Sequence, residues 1–102
     1  MRKAKVFNHG ILAGFLIASD DGKYEFVYEN NYQGSPVSLT MPVASKTFVF
    51  NKFPPFFDGL LPEGDRLEAL LKSAKIDRHD LFAQIVVVGG DTVGSVTIGE
   101  EI

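Results

Sequence analysis

Residues 53–71, FPPFFDGLLPEGDRLEALL, constrain this chain more than any other stretch. Two prolines, a phenylalanine pair and a Gly-Leu-Leu-Pro-Glu-Gly run lead straight into a helical pattern. Pro54 and Pro55 push Phe53 and Pro54 away from helical geometry, and Gly59 and Gly64 let the backbone turn sharply. A segment this apolar and irregular has two uses. It wedges the core closed between sheet and helices, or it is presented to a partner. Both readings stay open and can share residues, because adjacent Phe56 and Phe57 cannot easily point the same way.

Upstream of this segment the chain reads as strands. Residues 4–8 and 11–18 are apolar and β-compatible, and Asn8-His9-Gly10 between them tolerates positive φ, a hairpin signal. Asp20-Asp21-Gly22 supplies a second tight turn, after which Tyr24, Phe26 and Tyr28 alternate with Glu25, Val27 and Glu29 in a half-buried strand. The first three strands therefore form a meander, and residues 30–36 are a polar connector. Val37, Leu39 and Met41 alternate with Ser38 and Thr40, predicting a strand that Pro42 ends or confines to an edge, and residues 46–50 are a further short strand.

Downstream the periodicity lengthens. Pro62 suits a first helical position, and Glu63 and Asp65 then meet the positive end of the helix dipole. The spacing predicts a helix over 62–74 whose Leu67, Leu70, Leu71 and Ala74 pack on the sheet, with Glu68 and Lys72 placed as an i,i+4 pair. Asp77 is the expected N-cap of a second helix over 78–88, with Leu81, Phe82 and Ile85 buried and Gly89 and Gly90 stopping it. Val86–Val88 is compatible with either strand or helix. Residues 93–98 form a last strand that rejoins the sheet, and Asp91 is expected to be structural, hydrogen-bonding its own turn. The expected fold is a small α+β domain over residues 1–102, an antiparallel β-rich sheet packed with two or three short helices and filled largely by the nine phenylalanines.

Composition bounds the function. The formal charge of −3 leaves no footprint for a nucleic-acid backbone, and Arg2, Lys3 and Lys5 read as a solvated strand end. No apolar run approaches the ~20 residues needed to cross a bilayer, and the start lacks a signal-peptide layout. Without cysteine there are no disulfides or thiolate metal sites, which points to the cytoplasm. His9 lies in a turn and His79 in a helix start, each without a second ligand or a nucleophile beside it. The Gly89–Gly94 run leaves a helix and enters a strand, the reverse of a phosphate-binding loop. Asp58, Glu63 and Asp65 lie close enough in sequence for a paired-carboxylate site, but an acidic first helical turn explains two of them without chemistry. No enzyme activity, no catalytic, metal or cofactor site, and neither binding nor hydrolysis of ATP is expected of this chain alone.

Four runs carry a resemblance. Val6, Gly10, Gly14 and Leu16; Ser38-Leu39-Thr40-Met41-Pro42; Phe56-Phe57-Asp58-Gly59-Leu60-Leu61-Pro62-Glu63-Gly64; and Gly89-Gly90-Asp91-Thr92-Val93-Gly94-Ser95-Val96 resemble, in that order and over nearly the whole chain, the N-terminal subdomain of HipA-family serine/threonine kinases. In that family the subdomain precedes a kinase body holding the nucleotide-binding and catalytic residues, none of which can be carried onto this sequence. The resemblance implies a split system, in which a small HipS-like protein acts as antitoxin to a shortened HipT-like kinase toxin, accompanied by a DNA-binding HipB-like member reached through the complex. The alternative is a structural subdomain separated from a full-length kinase. One departure is Asp65, which stands where the pattern often has a bulky aromatic, so a blocking mode built on such an aromatic is not carried over. The partner-binding residues expected from the anchors and charges of the segment are Phe53, Phe56, Phe57, Asp58, Leu60, Leu61, Pro62, Glu63, Gly64, Asp65 and Arg66.

Overall fold

Two tight turns set the order of the first three strands. Strands β1 (Arg2–Asn8) and β2 (Ile11–Ala18) are joined through His9 and Gly10 at φ 53° and 80°, the pair of positive values that a two-residue hairpin turn demands. A second turn with Gly22 at φ 85° leads into β3 (Tyr24–Tyr28). Strand β4 (Thr47–Phe50) adds to β3, and β5 (Val96–Glu101) returns to β1, so the antiparallel sheet runs β4-β3-β2-β1-β5. The computed structural model describes residues 1–92 and 94–102, and among them these five strands and three α-helices make the small α+β fold expected from the sequence. Residue 93, assigned above to the last strand, lies outside the described residues, and the strand itself begins at Val96.

One face of the sheet carries the core. Ala4, Val6, Leu16, Phe26 and Tyr28 are buried there with Val96 and Ile98. The rings interlock: Phe26 meets Tyr28 edge-on at 4.8 Å between centroids, and Tyr28 stacks on Tyr32 at 5.8 Å. Gly14 sits where a Cβ would lie 2.2 Å from the Val27 carbonyl oxygen, so only glycine lets β2 and β3 pass at this point.

The expected strand over residues 37–41 does not form. Its backbone groups are taken by a side chain of the sheet: the Tyr28 hydroxyl donates to the Met41 carbonyl at 2.5 Å and accepts from the Val37 N–H at 3.1 Å. Met41 N–H also closes a turn on the Ser38 carbonyl, which swings Leu39 outward to 96% exposure while Val37 and Met41 stay buried. Alternation at every second residue is thereby broken. Burial also pushes the Tyr28 phenol above its ordinary pKa, which keeps it a neutral donor.

The helices follow the prolines and aspartates differently from the sequence reading. The third short helix that the expected fold allows, α1, runs over Pro55–Asp58; Pro54, extended at ψ 131°, precedes it and Pro55 occupies its first turn. Helix α2 (Gly64–Ala74) starts two residues later than expected, because Glu63 is extended at φ −129° and Gly64 turns the chain at φ 59°, leaving Pro62 outside. Its leucine stripe does not join the core on the sheet. Leu67, Leu70 and Leu71 are half-buried, Ala74 is exposed, and α2 lies against α3 (Leu81–Val88). Glu68 takes both its hydrogen bonds from Arg78, at 2.6 and 2.7 Å, rather than pairing with Lys72.

Asp80, not Asp77, caps α3, accepting from the Ala83 N–H at 3.0 Å. Asp77 is engaged in its own loop through the His79 N–H, and the buried Gln84 amide donates to the Asp77 and Arg78 carbonyls, so the loop is held open until Leu81. Arg2 donates to Asp80 and lies 4.7 Å over the Phe82 ring, tying the start of β1 to the start of α3. Val86–Val88 are helical, and Gly89–Asp91 continues as a single 3-10 turn.

Two outcomes follow from this packing. At Gly89 a Cβ would fall 2.5 Å from the Ile98 carbonyl oxygen, whereas at Gly90 it would meet nothing within 4 Å. Thermal unfolding should show Gly89→Ala destabilised by about 1–3 kcal/mol, the scale of overpacking, with Gly90→Ala close to the parent. Tyr28→Phe should cost about 1–3 kcal/mol for each backbone group left unpaired, measured by urea titration.

Candidate partner-binding surface

The segment nominated from the sequence is divided by its own helix. Phe53 and Phe57 are buried, Phe53 edge-on to Tyr24 at 5.3 Å and Phe57 against Phe26 at 5.7 Å, and Pro54 is fully enclosed. These residues are the wedge that closes the core. Phe56, one step along α1, is half-buried and stands edge-on to Phe57 at 5.2 Å. The helical turn sends the two neighbours apart, as adjacent aromatics require.

Beyond α1 the backbone keeps turning, with the Leu60 N–H on the Phe57 carbonyl at 3.0 Å and the Leu61 N–H on the Asp58 carbonyl at 3.1 Å. Leu60, Leu61 and Pro62 are half-buried along one wall of a cleft of about 720 Å³, whose other wall is α3 and the turn after it, through Val87, Val88 and Asp91. Asp58, Glu63, Gly64, Asp65 and Arg66 are exposed. Among the described residues none of the side chains of Asp58, Glu63, Asp65 and Arg66 has a hydrogen bond or ion pair, so three carboxylates and one guanidinium face solvent around an apolar strip.

Among the described residues the Asp91 side chain has no hydrogen-bond partner, so it does not make the bond to its own turn expected from the sequence. Its carboxylate is exposed at the mouth of this cleft, and the Thr92 hydroxyl instead donates to the Val96 carbonyl and ties the turn to β5. A neighbouring groove escaped the sequence reading. Phe56 also lines a hollow of about 540 Å³ with Met41, Phe48, Phe50 and Pro54, next to the free edge of β4. The alternation of residues 46–50 revealed a strand, but no local signal says which strand ends the sheet. Among the described residues no group of three His, Cys, Asp or Glu side chains converges as a metal site would require, and no helix is long and apolar enough to cross a membrane.

Comparison with known proteins agrees with this architecture. The HipA N-terminal domain family matches residues 4–99. A protein of Haemophilus influenzae, described as uncharacterized, is 34% identical over 101 residues, covering 99% of this chain and 94% of that protein. A solved structure titled N-terminal domain of HipA toxin superposes with a TM-score of 0.77 at 29% identity, over 100% of this chain and 93% of that one. The match runs through the sheet, the Leu-Pro-Glu-Gly loop and the Gly-Gly-Asp turn alike, and the chain belongs to the HipA N-terminal domain family.

Proposed function

We propose that this protein is an antitoxin that binds and neutralises a HipT-like serine/threonine kinase toxin in the cytoplasm, with a DNA-binding HipB-like protein joining through the complex. The observation that carries this reading is the division of residues 53–66. Phe53, Pro54 and Phe57 seat the segment rigidly in the core, while Phe56, Leu60, Leu61 and Pro62 keep partly open apolar surface ringed by unpaired charges. Apolar anchors inside a polar rim are the anatomy of a binding surface, and a pre-seated loop loses little entropy on docking. The alignment that covers 94% of the Haemophilus influenzae relative supports the same reading, since a protein of about this size leaves no room for a kinase body. The three carboxylates around the strip suit a basic kinase cleft, and the net charge of −3 leaves DNA contact to the third member.

The test is direct binding to the purified kinase together with rescue of growth. Phe56→Ala and Leu61→Ala should melt close to the parent yet lose about 2–4 kcal/mol of binding each, the scale for interface anchors. Phe57→Ala should instead lower the melting temperature. Asp65→Lys should slow association and weaken its salt dependence. A kinase that binds every well-folded variant as it binds the parent places the interface elsewhere, and a kinase that does not bind the parent at all removes the reading.

A further inference from the structure

The two edges of the sheet are finished differently. At one edge β5 packs against α3 and the Gly89–Asp91 turn and carries Glu100. At the other, β4 reads Thr-Phe-Val-Phe, with neither a charge nor a proline among its four residues, and Val49 is 65% exposed. Natural edge strands are ordinarily blunted by charge, proline or a covering element, because a bare edge is a template for another strand. Shortness is the only such device that β4 has.

Its backbone pattern follows from the register. The Tyr28 N–H donates to the Lys46 carbonyl at 2.9 Å, and the neighbouring pairs are Val27 with Thr47, Phe26 with Phe48 and Glu25 with Val49. Antiparallel pairs alternate between bonded and non-bonded, so Phe48 and Phe50 bond to β3 while the N–H and C=O groups of Thr47 and Val49 point away from the sheet. No described residue meets those outward groups. Beside them lies the 540 Å³ hollow lined by Met41, Phe48, Phe50, Pro54 and Phe56, which holds no charged residue. Lys46 and Lys52 bracket the strand in sequence.

We infer that β4 is a second docking element, onto which the partner adds an extended strand that bonds to Thr47 and Val49, sets an apolar side chain into the hollow beside Phe56, and carries acidic residues toward Lys46 and Lys52. This rests on the antitoxin reading, and the occupant is a segment of the kinase. Phe56 belongs both to the hollow and to the apolar strip it forms with Leu60, Leu61 and Pro62, so the two surfaces are continuous. Alternate apolar side chains with main-chain hydrogen bonds are what strand addition recognises, and the two lysines select a segment with acidic ends.

Hydrogen exchange on the parent protein, free and bound to the kinase, tests this without relying on a variant. The Thr47 and Val49 amides should exchange rapidly in the free protein and slow by at least about tenfold in the complex, while those of Phe48 and Phe50 are protected in both. Val49→Pro removes only an outward donor, at an edge position that tolerates proline, and should weaken binding about tenfold, equivalent to one lost hydrogen bond, with Phe48 and Phe50 still protected. A complex that forms with the Thr47 and Val49 amides exchanging at the free rate overturns strand addition and leaves the antitoxin reading standing. Protection that grows with the concentration of the protein alone assigns the edge to a second copy, and overturns it as well. A parent protein that fails to bind the kinase removes both readings together.

Discussion

The contact between Phe57 and Phe26 is the one on which the rest of the arrangement depends. Phe57 is fully buried on the face of β3, and burying a side chain of this size is worth roughly 1.5–3 kcal/mol. Because α1 is only one turn long, it has too few internal hydrogen bonds to hold itself, and its position is that of its buried residue. Phe57 therefore determines where Phe56 points, where the Gly-Leu-Leu-Pro turn begins, and which wall of the cleft the two leucines form. A surface built this way is stiff at its base and open at its rim.

Tyr28 does a related task with polar atoms. A phenylalanine would fill the same space, yet the hydroxyl closes two buried backbone groups of the loop that would otherwise have been a sixth strand. Consuming that loop leaves β4 as the end of the sheet and opens the hollow between Met41 and Phe56. Asn8, buried nearby, gives its amide N–H groups to Tyr32 and Ser35, while its carbonyl oxygen finds no partner among the described residues.

Charge is distributed to match. The Arg2 guanidinium, shared between the Asp80 carboxylate and the Phe82 ring, joins the sheet to the helix that backs the cleft. At this degree of exposure such a pair contributes orientation more than stability. Glu68 and Arg78 couple α2 to the loop before α3 in the same manner. The acids of residues 58–65 have no such duty: Asp58, Glu63 and Asp65 are exposed and, among the described residues, their side chains have no hydrogen-bond or ion-pair partner.

The amino-acid sequence alone determined the hairpin at His9-Gly10, the turn at Gly22, the alternation of β3 and the two principal helices, because each depends on the φ range or period of a few adjacent residues. It also carried the family, through runs such as Phe-Phe-Asp-Gly-Leu-Leu-Pro-Glu-Gly whose order is not easily met by chance. Tertiary structure decided what needs partners distant in the chain. The Tyr28 hydroxyl withdrew residues 37–41 from the sheet, and Gln84 moved the cap of α3 from Asp77 to Asp80. The α2 leucines lie toward α3 rather than in the core, and Phe26 drew Phe57 inward while Phe56 stayed half-buried at the surface. Local propensity could offer Phe56 and Phe57 equally to core or partner. Only the position of the sheet face beneath them separates the two.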